Sequence, residues 1–538
     1  MKKTLAVALS ATLLTGFANA GAAARDRVNP FTIPHVLRVG DTQDFDTLNP
    51  HLATAITLGN LSQLTMAYLV RYGRDNRPVP ELATVVPTQA NGGISRDGRT
   101  ITWHLRRNVK WSDGAPFDAD DVVWSTNAVN NPANNEVGRD GWDLIARIDE
   151  PDKYTVVFHL KKPYSGYLPT FFGSAGANPC ILPKHVLASL PNINNAPYNS
   201  KPVGIGPFRY VEWVRADHVT LEANPYYWRG KPALEKVVYK IIPDRNTLLT
   251  QLETGEVDLW AYVPPAFAGR AMALKTVAYV RAPGALYQHL DFNTTHPALR
   301  DRAVRAALRL ALDRPAMQQK ISHGIGIVQE SSISPALPLA TTLPFVGFDL
   351  AKANRMLDDA GWKRGADGIR AKNGVRLSLE WATVSGSPDA DSRIELIRSM
   401  WEQAGVAFDV KHYNVALFFQ LRGGIAYDGK FDVTAFGWQM TPDADLNPFN
   451  SCTLMPPQGQ NITRLCDPRL EKLLQEQKVT YDEQKRKAIA AQALKIIDDE
   501  VPYVVLFIQE NVHVYNRDLT AWHPNTATPF DNFMNVDI

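Results

Sequence analysis

Cysteine is nearly missing from this chain: there are three in 538 residues, Cys180, Cys452 and Cys466. A scaffold stapled by many disulfides is therefore excluded, and a zinc site of the CxxC type finds no support, because no two cysteines lie at that spacing and no paired histidines stand beside them. An excess of either charge is also missing. Lys and Arg number 57 against 55 Asp and Glu, a formal net charge of +2, and removing Lys2 and Lys3 would bring +2 minus 2 to zero. Nucleic-acid binding, which draws its affinity from a clustered basic excess, is disfavoured. Past the first two dozen residues, no apolar run approaches the roughly 20 residues that a bilayer-crossing helix needs. There is no GxSxG elbow, no HExxH pair and no GxxxxGK[ST] phosphate loop. Gly204-Ile205-Gly206 and Gly324-Ile325-Gly326 lack the third glycine of a dinucleotide fingerprint and read as turns.

The N-terminus does carry a signal. Lys2 and Lys3, the apolar run from Leu5 to Phe17 and the small-residue site Ala18-Asn19-Ala20 have the form of a cleavable secretory leader, residues 1–24, cut after Ala20, Ala22 or Ala24. No cysteine lies near those bonds, so a lipid anchor is not expected, and the mature protein is expected in the periplasm. In that oxidising compartment Cys452 and Cys466 are expected to form a disulfide, closing a loop of about 15 residues worth up to roughly 3 kcal/mol in the chain-entropy model. Cys180 is left over as a buried apolar side chain.

At 538 residues with 45% hydrophobic and 21% charged residues, the chain reads as a soluble protein of two or three units. Strands show in the alternation of Ile101, Trp103 and Leu105 and in the β-branched and aromatic runs Tyr154 to Leu160 and Val237 to Ile242. Helices declare themselves through caps: Asp349 before Leu350, Ala353 and Leu357, and Asp467-Pro468 before Leu470, Leu473 and Leu474. A strand from Val375 to Trp381, a helix through Ile394, Ile397 and Trp401 closed by Gly405, and a strand from Val406 to Tyr413 make a βαβ unit, hence a parallel α/β sheet. With a further strand at Phe431 to Phe436, the segment Gly437 to Asp445 would follow a strand's carboxyl end, where such sheets gather ligands.

Histidines His104, His159 and His289 fall in strand-like contexts that suit structural roles. Paired acids could run glycoside chemistry, but Asp118, Asp120 and Asp121 precede Val122-Val123-Trp124, where acids cap a helix. For Asp443 and Asp445 the residues leave ligand contact and loop stabilisation open.

Many segments, in order, resemble one family. They are Leu48-Asn49-Pro50-His51; Trp103-His104-Leu105-Arg106; Val109 to Phe117 with Trp111-Ser112-Asp113-Gly114; Ala119-Asp120-Asp121-Val122; Pro202 to Phe208; Asn224-Pro225-Tyr226-Tyr227-Trp228; Gly255-Glu256-Val257-Asp258; and Asp291-Phe292-Asn293. Together they are similar to the extracytoplasmic solute-binding proteins, family 5, of ABC importers, the class with dipeptide, oligopeptide and nickel binders. The resemblance implies an α/β, two-lobed periplasmic binding protein of type II-like form, with an extra subdomain inserted in the first lobe and the lobes joined by two crossing segments. It implies a first lobe over residues 25–290 with the insertion at about 60–200, a second lobe over 291–505 and a return to the first over 506–538. It implies a monomeric receptor without catalysis or cofactor, closing on a peptide or peptide-like solute and meeting the membrane only through an ABC permease. Transferred residue by residue, the site is Thr54, Ala55 and Ile56, then Gly437, Trp438 and Gln439, and Phe507 near the return crossing.

Two positions depart from the family pattern. Thr441 stands where peptide binders place an aspartate for the ligand's ammonium, leaving Asp443 or Asp445 as candidates for that anchor. The stretch Val384 to Pro388 lacks the arginine that dipeptide binders use for the carboxylate. A sugar, opine, metal chelate or haem is therefore the alternative cargo, and a secreted hydrolase using Asp443 and Asp445 the remote one.

Overall fold

The computed structural model describes residues 29–53, 55–174, 179–420, 422–526 and 528–538. The expected leader, residues 1–24, and the site candidate Thr54 lie outside them.

Ten strands make the central sheet: β1 (Val36–Asp41), β2 (Phe208–Val214), β3 (His218–Ala223), β4 (Lys236–Ile241), β5 (Leu259–Trp260), β6 (Val277–Phe292), β7 (Ser378–Val384), β8 (Ala407–Tyr413), β9 (Val433–Gln439) and β10 (Tyr503–Asn516). Their order across the sheet is β8-β7-β9-β6-β10-β5-β1-β4-β3-β2. β6 and β10 pair antiparallel along their length, and at about 3.3 Å per residue each is long enough to serve both halves of the molecule. The first half of β6 and the last of β10 belong to the half with β1, since β10 pairs with β5 at Tyr515 and Val514. The second half of β6, Leu286 to Phe292, pairs with β9. A register shift between Pro283 and Tyr287 marks the crossing.

Each half has its own apolar core. The first packs Leu37, Val39, Leu61 and Tyr239 with Trp522, Phe530 and Val536 of the returning C-terminal tail. The second packs Leu290, Trp381, Trp401, Phe408 and Leu506. A third core, around Trp103, Trp111, Trp142 and Phe158, belongs to a separate antiparallel sheet of Thr100–His104, Thr155–Leu160 and Ile145–Asp152. That sheet is the subdomain inserted in the first lobe.

Five helices bear on the site: α1 (Ile56–Thr65), α2 (Arg314–Ile321), α3 (Pro388–Gln403), α4 (Pro468–Val479) and α5 (Glu483–Glu500). The α3 helix starts at a Ser387 cap with Pro388 in the first turn, and it buries Ile394, Ile397 and Trp401, a spacing that follows one helical face. It stops before Gly405, which has φ +80°, as a left-handed C-terminal cap requires. Asp118 and Asp121 form a reciprocal capping box on the helix Ala119–Asn130, so these acids are structural.

Family motifs are explained by close packing. Asn49 donates through Nδ2 to Asn199 Oδ1 at 2.9 Å, and His51 pairs with Glu136 at 2.5 Å with both side chains fully buried. A Cβ on Gly204 would lie 1.9 Å from the Thr65 carbonyl oxygen, so the chain passes too close to the end of α1 for any side chain.

The lobes also touch away from the crossing strands. Ser165 donates through its backbone N–H to Lys478 O at 2.7 Å and through Oγ to Gln477 O at 2.9 Å. The Tyr481 hydroxyl donates to Gly98 O at 2.7 Å and accepts from Tyr164 N at 2.9 Å. Arg77 meets both oxygens of Glu483, at 2.8 and 2.9 Å.

Candidate ligand cleft

The parallel strands of both halves point their carboxyl ends toward the junction of the lobes, the position where open α/β sheets hold ligands. On the first-lobe side these are β1, β4 and β5, with the N-terminus of α1. Ala55 precedes α1 in an extended backbone and packs half-buried on the first core. Ile56, the first residue of the helix, is 59% exposed, an apolar side chain left available. Asp41 ends β1 and accepts from the Tyr239 hydroxyl at 2.7 Å and from Thr42 N at 2.7 Å. Burial pushes its carboxyl up, against those hydrogen bonds.

On the second-lobe side the strand expected at Phe431 to Phe436 runs instead from Val433 to Gln439. Gly437, Trp438 and Gln439 are thus strand residues, paired with Gln288, Tyr287 and Leu286, because the long β6 offers partners past the point where the β-branched run ends. Trp438 is half-buried. Its ring stacks on His289 at 6.0 Å with an 8° interplanar angle and lies 4.4 Å from Phe449. His289 is buried, its Nδ1 3.0 Å from Asp291 Oδ1, and among the described residues its Nε2 has no partner. Both face a cavity of about 10 Å³ shared with Tyr287, Tyr503 and Thr463, room for one water. Gln439 and Thr441 are exposed.

Both acids are engaged, Asp443 by α5 and Asp445 within its own loop. Asp443 lies 3.3 Å from Arg486 Nη2 of α5. Asp445 accepts from Asn447 N at 2.9 Å and from Asn447 Nδ2 at 2.8 Å. Burial, then the neighbouring Asp443, pushes the Asp445 carboxyl up. The loop is pinned further by Gln477, whose Nε2 donates to Ala444 O at 3.0 Å and whose Oε1 accepts from Leu446 N at 3.2 Å. Gln477 is also the residue whose carbonyl meets Ser165 of the first lobe.

Phe507 of β10 sits opposite Gln288 in the strand pairing, on the face of the sheet away from Trp438. Gln288 and Arg393, at this junction, are absent from the sequence-derived site. Gln288 lies four residues before the Phe292 of a recognisable strand, so strand alternation could have placed its side chain opposite His289. Arg393 gave no comparable signal.

Cys452 and Cys466 are joined in a disulfide beside this loop, and Cys180 is a buried free cysteine. Among the described residues no group of three or more His, Cys, Asp or Glu could hold a metal ion, and no helix is long and apolar enough to cross a membrane.

Comparison with known proteins matches residues 77–456 to the model for bacterial extracellular solute-binding proteins, family 5 Middle. The oligopeptide-binding protein AppA of Bacillus subtilis is 26% identical over 447 residues, covering 81% of this chain and 80% of its own length. The dipeptide-binding protein of Escherichia coli is 26% identical over 439 residues, 77% of this chain and 78% of its own. The crystal structure of NikA from Brucella suis in complex with Fe(III)-EDTA superposes with a TM-score of 0.81, at 24% identity, over 93% of this chain and 99% of that one, a likeness of fold. With its two lobes, two crossing strands and inserted subdomain, the chain belongs to the bacterial extracellular solute-binding proteins of family 5.

Proposed function

We propose that this solute-binding protein works in the periplasm, captures a peptide or peptide-like solute between its lobes, and delivers it to an ABC permease without chemical turnover. The family match over residues 77–456 carries the receptor class, and the relatives named for oligopeptides and dipeptides support the cargo. The lobes divide at about residue 290 and again near 505, where β6 and β10 cross. Ligand contact falls to Thr54, Ala55 and Ile56 on one side and to Gly437, Trp438, Gln439, Thr441 and Phe507 on the other, with Asp443 and Asp445 shaping the loop beside them. Among the described residues β9 pairs with β7 at Val433 and Thr434 alone, so its later residues offer an edge of the kind that holds a strand-like ligand, while Trp438 supplies an aromatic wall. A leader over residues 1–24 accounts for export.

A second reading, a non-peptide solute, is favoured by one observation: both acids of the loop already have partners, Arg486 and Asn447, and Thr441 brings no charge. The solved structure of NikA with Fe(III)-EDTA shows this fold with such a cargo. Titration calorimetry of the mature protein with mixed short peptides decides between them. Saturable binding with a negative heat-capacity change is expected for cleft closure over apolar surface; absence of heat with every peptide, but binding of a chelate or opine, would select the second reading.

A further inference from the structure

Among the described residues, Arg393 is a buried cation without a buried anion. It lies on the second turn of α3, is 8% exposed, and makes one hydrogen bond among the described residues, from Nη1 to Gln288 Oε1 at 3.2 Å. Among the described residues its Nε has no partner. The acidic group that acts on it is Asp389, one turn earlier on the same helix, which is exposed and not within ion-pair distance. The neighbouring Arg314 does not resemble it: that guanidinium is matched by Glu330, which it meets through both terminal nitrogens, and by the carbonyls of Val505 and Val346. Glu330 is spent on Arg314 and on Val346 N and has nothing left for Arg393. Burial alone weakens the hold of Arg393 on its proton.

A buried guanidinium with one neutral partner destabilises the fold unless a counter-charge arrives. The surroundings point to where it arrives from. Gln288, its one partner among the described residues, is paired with Gly437 on one side and Phe507 on the other, both of them cleft candidates from the sequence. Arg393 and Phe507 line one small cavity together with Arg314, Met317, Ile321 and Leu506; its volume of about 10 Å³ suits one water-sized atom such as a carboxylate oxygen. The cavity lies near the N-terminal end of α3, where the helix dipole favours negative charge.

We propose that Arg393 is the anion anchor of the cleft, holding a carboxylate or comparable oxyanion of the solute on which the lobes close. This rests on the receptor reading and narrows it to acidic solutes. The arginine missing from Val384 to Pro388 is replaced by one five residues into the following helix, and Gln288 orients it.

The test uses the mature protein and the variants R393M and R393K. Ligand-free R393M is expected to melt at the same temperature as the wild type or higher, since an uncompensated buried charge is replaced by an apolar chain of similar length; a melting temperature several degrees lower would make Arg393 a structural residue and overturn the proposal. Short peptides are then titrated as free acids, as C-terminal amides, and as amides carrying an acidic side chain. The wild type is expected to prefer anionic forms by about tenfold or more, R393M to lose that preference, and R393K to keep part of it. The two anionic forms tell a terminal from a side-chain carboxylate. Equal binding of acid and amide by the wild type overturns the anion anchor and leaves the peptide reading standing. If no peptide binds the wild type, the peptide reading fails, and the anchor is judged by the melting temperatures and by small dicarboxylates and opine-like acids in the same titration. Binding of any of these that R393M loses supports it, and binding of none overturns it.

Discussion

His51 and His513 are both fully buried, and their environments drive them apart. Burial disfavours the charged form of His51, but Glu136 and the Cys180 carbonyl outweigh it and hold the imidazole up to about 10. For His513, between Tyr262 and Trp522, burial acts unopposed and pushes it down to about 3. An unfolded histidine titrates near 6.5. The folded state therefore holds an extra proton at His51 between roughly pH 6.5 and 10, so that its contribution is full below 6.5 and falls as pH rises through 10. At His513 the folded state lacks a proton that the unfolded chain binds between roughly 6.5 and 3, so stability falls as pH drops through that window. Urea denaturation across pH should show both limbs. In H51Q the alkaline limb should flatten while stability near neutrality drops by about 3–5 kcal/mol, because Glu136 is left buried and unpaired; an unchanged alkaline limb would mean the pair is not ionic. At this scale the sequence revealed aromatic and small residues better than charges. Gly437 and Trp438 stand in a recognisable motif, whereas Arg393 looks like any helical arginine, normally a solvated one, and its burial depends on Gln288 arriving from 105 positions away in the chain.

The elements near the site are coupled through a few contacts. A Cβ on Gly437 would meet Leu286 Cδ2 at 2.8 Å and Gln288 Nε2 at 2.9 Å, so G437A should displace Gln288, loosen Arg393 and weaken solute binding by about tenfold with little change in fold; unaltered affinity would detach this strand from the site. The turn between α4 and α5 bridges the lobes. Y481F removes two hydrogen bonds across it, to Gly98 and Tyr164, at about 0.5–1.5 kcal/mol each. The closed form should be populated less, with a several-fold weaker apparent affinity and a larger radius in solution scattering of the liganded protein; an unchanged radius and affinity would make the bridge incidental. Thiol titration of the denatured, unreduced protein should find one thiol, from Cys180, and reduction should cost up to about 3 kcal/mol. Caps made some of these elements legible: Asp349 and Asp467-Pro468 open helices and Gly405 closes α3, whereas the Ser387 cap that opens α3 was not read from the sequence. Strand ends were harder to read. The run Val375 to Trp381 divides into Val375–Arg376, part of a small separate sheet, and β7, while β9 outlasts its β-branched residues because its partner, not its own composition, sets its length.

The molecule as a whole is two lobes held by two long strands, and such a topology leaves rotation at the crossing as the soft motion. The βαβ unit of the second lobe and the order of the motifs made that architecture readable, since both are local patterns repeated along the chain. The partner of Asp443 was not readable, because Arg486 arrives on α5 from 43 positions away in the chain, whereas Asp445 is held locally by Asn447, two residues on. On the proposed reading the solute brings a negative group to Arg393, beside Phe507, and presents apolar surface to the exposed Ile56. The most direct measurement is native mass spectrometry of the mature protein as purified, with any retained solute released and fragmented. A ladder of acid-bearing peptide masses is the predicted result, and a single non-peptide mass would contradict the account's peptide cargo.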